Sequence, residues 1–253
     1  MTKVLLTSKL LHLCKTPTKP MTITQGYDGS VHAPTSERAS EVKVRGHKKE
    51  EVLANRLGYS VVKGTQKPDI VGGSDRISLK GASTNIQLYL SRLNKSSVVY
   101  GEDSPMYQYQ LAGYYNRKFK YENDNLVDSD LFNFFIESAN DVSDWLRDKD
   151  NFRMVIEKVF SDNYDANKLA VMLEVDSPAY IYDMKEVVDL YVNSNYEVSV
   201  TSGGKIVVRV GKYEIFYLEI RGGKDHCGSM NHGVRSSLYT FLSENLDSTI
   251  IEA

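Results

Sequence analysis

The chain has 253 residues, with 31 Lys and Arg against 33 Asp and Glu and a net charge of −2. That balance argues against nucleic acid as a partner, for which a strongly basic chain is expected. The 41% hydrophobic content is ordinary for a folded protein and excludes a disordered chain, and no apolar run approaches the ~20 residues of a membrane span.

Domains commonly run to ~100–200 residues, so one large or two small domains are expected. Val4 to Cys14 is apolar but interrupted by Ser8, Lys9 and His12. No convincing small-residue cleavage site follows, so the stretch reads as an ordinary element rather than a signal peptide. Cys14 and Cys227 lie far apart and read as free thiols, which favours a reducing compartment. Residues 15–41 are rich in Thr, Ser, Pro, Gly and charge, and are expected to form a loop-like arm.

His47 to Leu57 has helical periodicity. Leu53, Ala54 and Leu57 form one face, and Gly58 ends the helix. Glu50 lies on the buried edge of that face and Glu51 points elsewhere. A strand Tyr59–Lys63 follows. Then come two short apolar runs, Asp69-Ile70-Val71 and Ile77-Ser78-Leu79-Lys80, separated by Gly72-Gly73-Ser74-Asp75. This is the pattern of a hairpin with an acid on one strand and an ammonium on the next. A carboxylate can hold a hard cation, and a lysine beside it can orient a water and help deprotonate it. Together they are the minimum for metal-assisted phosphodiester hydrolysis. The same spacing also suits a solvated helix and a capping hairpin, because Pro68-Asp69 is an ordinary turn pair.

Ile86–Leu90 alternates as a strand with one buried face, and Met106–Phe119 reads as a helix. On that helix Gln110 and Tyr114 are one turn apart and face one groove or the core. Leu126–Phe160 reads as two or three helices, with Phe132, Phe134, Phe135, Trp145 and Leu146 as core. A strand Leu169–Val175 and a helix Asp183–Val192 follow. Strands Tyr196–Thr201, Lys205–Val210 and Tyr213–Arg221 have short Gly-containing links and suggest an antiparallel meander. Ser236–Leu242 is expected to add one more strand. No internal repeat is visible.

Charge is segregated. Residues 201–236 hold six Lys or Arg against three acids, while residues 121–165 hold twelve acids against four bases. Such a distribution makes one face attractive to phosphate, though the acidic stretch also suits a plain solvated helical region. The segment from Arg221 to Arg235 is the candidate for reading DNA. Gly222, Gly223, Gly228 and Gly233 allow close backbone approach. Around them stand Arg221, Lys224, Asp225, His226, Asn231, His232 and Arg235, which match the donor and acceptor patterns of base edges. A flexible polar hairpin loop is the alternative. His226, Cys227 and His232 lack the paired spacing of a structural zinc site.

Glu50, Pro68-Asp69 and Lys80 resemble the PD-(D/E)xK nuclease superfamily, in the order helix-Glu, hairpin-Asp, strand-Lys. The closer resemblance is to small monomeric type II restriction endonucleases. Their opening helix, Gly-x-Lys-x-Glu-x-x-x-Ala-x-Arg, is similar to Gly46 through Arg56. Their Leu-Ala-x-Tyr helix is similar to Leu111-Ala112-Gly113-Tyr114, and their Arg-Lys-Gly-Gly-Asp segment to Arg221-Gly222-Gly223-Lys224-Asp225. The likeness runs with gaps from about Val44 to Leu242. The superfamily's third acidic position is Ser78 here, a place where the monomeric group carries neutral amides.

The resemblance implies an α/β (α+β) fold: a central mixed sheet flanked by helices, with a C-terminal mainly antiparallel sheet for DNA recognition. Residues 1–43 would be an N-terminal arm, 44–125 the catalytic core, and 126–253 a helical segment plus the recognition sheet. The implied activity is Mg²⁺-dependent, site-specific cleavage of double-stranded DNA, with Mn²⁺ as a substitute metal. Asp69 would bind the metal, helped by the Leu79 carbonyl and by water held by Glu50. Lys80 would orient the attacking water, and Ser78 would give a hydrogen bond. Lys48, Lys49, Arg117, Lys118 and Arg209 would join the loop residues in contacting DNA. The protein would be a monomer or homodimer, intracellular and cytoplasmic, of prokaryotic or viral origin, with no membrane partner. The Gln110–Tyr114 spacing also matches exonuclease-type members, and loss of the acid at Ser78 also suits an inactive DNA-binding protein of this fold.

Overall fold

The computed structural model describes residues 36–63, 68–81, 86–123, 126–162, 165–220, 229–234 and 237–253. Helix α1 spans Ser36–Leu57, so residues 36–41 are helical and not part of an arm. Glu37, Ala39 and Glu41 are good helix formers. The Ser-rich composition around them and Gly46, a poor interior residue, had masked the longer helix. Its end is a Schellman closure. Gly58 adopts φ +69°, its N–H donates to the Asn55 carbonyl at 3.2 Å, and the Tyr59 N–H donates to the Ala54 carbonyl at 2.8 Å.

The turn at Gly58 reverses the chain into strand β1, Ser60–Val61, which pairs antiparallel with β2, Ile70–Gly72. The expected hairpin is present. β2 pairs with β3, Asp75–Lys80, in the register Ile70↔Ile77, Val71↔Arg76 and Gly72↔Asp75. Gly73 and Ser74 form the turn, with Gly73 at φ +58°. The Tyr59 ring lies flat against Gly72, where an added Cβ would sit 2.0 Å from a ring carbon.

β3 then pairs in parallel with β5, Lys168–Met172, which pairs antiparallel with β6, Ala179–Asp183. β11, Thr249–Ile251, completes a six-stranded mixed sheet in the order β1-β2-β3-β5-β6-β11. A small core of Leu53, Ala54, Ile70, Ile77, Ala170, Met172 and Ala179 holds α1 on this sheet. Burying a leucine such as Leu53 fully contributes about 1.5–3 kcal/mol.

The second sheet is antiparallel and built from β4 (Ile86–Arg92), β7 (Tyr196–Val200), β8 (Ile206–Val210), β9 (Tyr213–Ile220) and β10 (Ser229–Val234). Their order in the sheet is β4-β10-β9-β8-β7. The expected meander is β7-β8-β9. Strand β4 had been grouped with the catalytic hairpin, yet it pairs with β10 in this other sheet. Both sheets therefore take strands from either side of the boundary expected at residue 125.

Helices α2 (Leu93–Tyr100), α3 (Pro105–Glu122), α4 (Ser129–Trp145), α5 (Lys149–Ser161) and α6 (Met184–Asn193) pack between and against the sheets. Ser104, Asp128, Asp148 and Asp183 cap the last four, each accepting first-turn N–H groups. The segment expected as a last strand is helix α7, Ser237–Asn245. Its Leu238, Phe241 and Leu242 are buried at helical spacing, and that periodicity outweighs the strand preference of Tyr239, Thr240 and Phe241. The main core joins these helices to the second sheet through Phe152, Phe160, Tyr191 and Phe216. Phe135 and Leu146 are buried as expected, and Phe132, Phe134 and Trp145 pack against them. The architecture is mixed α/β, with a mixed sheet and a separate antiparallel one. No helix among the described residues is long and apolar enough to cross a membrane.

Candidate active site

Asp69 sits just before β2, held by two main-chain bonds. Its N–H donates to the Ile77 carbonyl at 2.9 Å, and its carbonyl accepts the Val62 N–H at 2.9 Å. The side chain is thereby aimed at the end of β3. β2 begins at Ile70, opposite Ile77, so Leu79 lies beyond the reach of β2 pairing. The Asp69 Oδ2 takes the Leu79 N–H instead, at 2.7 Å. The Ser78 hydroxyl approaches the same oxygen at 3.4 Å, and the Lys80 Nζ lies 3.9 Å from it. Lys80 also donates to the Leu79 carbonyl at 3.3 Å.

Lys80 is only 14% exposed and Asp69 25%. Burial pushes the Lys80 ammonium below the ordinary lysine range, against the pull of the Asp69 and Glu50 carboxylates. Glu50 comes from α1 and is the second carboxylate that Lys80 feels. The structure gathers Asp69, Ser78, Leu79 and Lys80 at one end of the hairpin, and Glu50 on α1 is near enough for its charge to act on Lys80. His47, one turn before Glu50, holds its Oε2 at 3.0 Å through Nδ1, a contact that the i, i+3 spacing could have suggested.

The donor set is two carboxylates and a main-chain carbonyl, all hard oxygens. It suits Mg²⁺, which is bound by one or two carboxylates and keeps several waters. Among the described residues no group of three or more His, Cys, Asp and Glu is placed to hold a metal ion. Ser78 is fully buried beneath Asp69. Asp75 is engaged at the hairpin tip, where it accepts the Tyr59 hydroxyl at 3.0 Å.

Of the residues expected on DNA, Lys48 is exposed on α1, and Lys118 is exposed on α3 with Glu122 at 4.0 Å. Arg117 is partly buried on α3. Arg209 is exposed on β8 and donates to Ser199 at 3.2 Å and Glu214 at 3.3 Å. Lys49 does not face outward. It is 4% exposed, and its Nζ donates to the carbonyls of Met172, at 3.1 Å, and Leu173. Burial lowers its pKa, partly offset by Glu174. Its ammonium is committed within the fold, so it leaves the set of phosphate contacts.

Arg221, Gly222, Gly223, Lys224, Asp225, His226 and Arg235 lie outside the described residues, as do Cys14, Cys227 and residues 15–35. Asn231 is on β10, opposite Glu219 and Tyr89. Gln110 is 1% exposed and faces the core rather than a groove.

Sequence reasoning missed the basic stripe along α1. Arg45 pairs with Glu174, and Arg56 donates to the carbonyls of Ser177 at 2.9 Å and Val175 at 3.1 Å. No family model matches the chain, and no curated protein is significantly similar to it.

Proposed function

We propose that the protein is a Mg²⁺-dependent endodeoxyribonuclease of the restriction type, cutting duplex DNA at a specific sequence. The observation that carries this reading is the Asp69–Lys80 pair at 3.9 Å, with the Leu79 N–H bonded to the same carboxylate. The resemblance to PD-(D/E)xK nucleases rests on these same residues.

In this reading Asp69 and the Leu79 carbonyl would hold the cation, with Glu50 acting through a water. Mg²⁺, when bound, would supply a Lewis acid for the phosphoryl oxygen and lower the pKa of a water. Lys80 orients the attacking water and balances the negative charge that develops on the phosphate. The Leu79 N–H keeps the Asp69 carboxylate turned toward β3. Exposed Lys48 and Lys118 contact phosphates, which fixes register without reading sequence.

A second reading is favoured by one observation. Ser78 occupies the position of a third acid and is buried with its hydroxyl on Asp69, leaving one negative charge fewer. A DNA-binding protein without cutting activity suits that deficit. Plasmid DNA incubated with Mg²⁺ or Mn²⁺ tests the proposal. Discrete bands are expected. A smear or resection from ends would point to another kind of nuclease, and a gel shift without cutting would favour the binder.

A further inference from the structure

We infer that Lys49 is a positioning residue of this site: its buried ammonium ties α1 to the end of β5, close beside Gly81 at the end of β3, and so fixes the turn of α1 that carries Glu50. The inference rests on the nuclease reading and deepens it.

Lys49 is one residue from Glu50, and consecutive helix residues point about 100° apart. A helix anchored through Lys49 therefore presents Glu50 at a set angle. The anchor is at the right place. β5 runs parallel to β3 in the register Lys80↔Val171. Lys49 donates to the carbonyls of Met172, at 3.1 Å, and Leu173, the two residues after the partner of Lys80.

On the β3 side the lysine lies along Gly81, the residue after Lys80. A Cβ built there would stand 3.0 Å from Nζ, 3.3 Å from Cδ and 3.6 Å from Cε. One buried side chain thus touches the residues following both parallel strands, beside the two charged groups of the site. Arg45 and Arg56 grip the same β5–β6 connection, but Arg45 and its partner Glu174 are both more than half exposed. An exposed pair of that kind contributes little and is easily displaced. Lys49 differs because removing its ammonium leaves main-chain carbonyls at a buried junction without their donor.

Two variants test this from opposite sides. Lys49→Met keeps a long unbranched stem and removes the ammonium. Gly81→Ala keeps the lysine but sets a methyl group 3.0 Å from Nζ and 3.3 Å from Cδ, closer than a relaxed contact, so the lysine must shift. The readouts are Mn²⁺ affinity by electron paramagnetic resonance, single-turnover cleavage, and circular dichroism of the fold. Both folded variants are expected to lose about 10–100-fold in Mn²⁺ affinity and in rate, the range for residues that orient a metal ligand. The double variant is expected to be no worse than the more severe single, since both changes break one contact.

Wild-type Mn²⁺ affinity in a folded Gly81→Ala protein would overturn the inference, and so would full additivity. If wild-type protein neither binds Mn²⁺ nor cuts DNA, the nuclease reading fails by itself. Crystal structures of the two variants then decide the positioning role. Displacement of Glu50 from Lys80 upholds it, and an unmoved Glu50 overturns it.

Discussion

The carboxylate of Asp69 accepts the main-chain N–H of Leu79 at 2.7 Å, an acid bonded to the strand that carries its own lysine. The bond completes an edge that β2 leaves unpaired, and it holds the acid 3.9 Å from Lys80. One side chain thus serves the sheet and the candidate chemistry together, and the two roles separate by mutation.

Asp69→Asn keeps an acceptor for the Leu79 N–H and removes the charge. It is expected to abolish cleavage and Mn²⁺ binding with little change in stability. Asp69→Ala also leaves the Leu79 N–H without its acceptor, which costs about 1–3 kcal/mol. Single-turnover cleavage and urea unfolding of both variants check this. Cutting by Asp69→Asn at the wild-type rate would remove Asp69 from the active site.

Lys80→Met is expected to be inactive, and its stability relative to wild type should depend on pH. Burial lowers the Lys80 pKa, so the unfolded chain binds that proton more tightly than the folded one. Between the lowered value and the ordinary 10.5, the unfolded state holds more protons, and wild-type stability rises with pH. Below that window the burial penalty is constant. Urea unfolding at neutral pH and at about pH 10 should show the balance shifting toward wild type as pH rises. A shift the other way would mean that Lys80 is stabilised as a cation in the fold.

Ser78→Ala is expected to cost under about 1 kcal/mol, because the hydroxyl sits 3.4 Å from Asp69, a long bond. Ser78→Asp buries a like charge beside Asp69 and should destabilise the metal-free protein by about 1–3 kcal/mol. Added Mn²⁺ should then raise its Tm more than it raises that of wild type, since the cation binds only the folded form. An equal Tm shift in both proteins would show that the Ser78 position does not face the cation.

Tyr59 donates to Asp75 at 3.0 Å, and that bond, then burial, raises the phenol pKa above 10.0. Above the ordinary value the unfolded chain loses this proton first, so stability should fall as pH rises from there and be unaffected below. Tyr59→Phe removes the effect. Unfolding midpoints from about pH 9 to about pH 11 should decline more steeply for wild type than for the variant, and parallel curves would contradict the assignment.

The hairpin was legible because its signals are local: two apolar runs around Gly73-Ser74. The end of α1 was legible for the same reason, through Gly58. What was hidden depended on partners distant in sequence. β4 pairs with β10, whose Gly-containing stretch reads as loop until its neighbour is known. β6 is Tyr-rich but short, enclosed between Pro178 and the Asp183 cap, and β11 has three residues. The approach of Asp69 and Lys80 was legible because the hairpin signals around them are local. The role of Lys49 was not. Beside Lys48 it looks like half of a basic pair, and only the close approach of Gly81 and the β5 carbonyls distinguishes the buried lysine from the exposed one.

That distinction sets the last expectation, on specificity. Lys48 is exposed, so its contact with a phosphate would strengthen binding to every sequence alike. Arg221 and Lys224 follow directly after β9 in the sequence, in the segment proposed to read bases. Losing one good bidentate base contact costs about 1–3 kcal/mol on the cognate site and hardly alters non-specific binding. Lys48→Ala should instead weaken binding evenly and flatten its salt dependence. The measurement is binding of Arg221→Ala, Lys224→Ala and Lys48→Ala to cognate and scrambled duplexes in Ca²⁺ across salt. Equal losses on both duplexes for the first two variants would make the segment a backbone clamp. Base reading would then have to be sought in residues 15–41 or after Lys80.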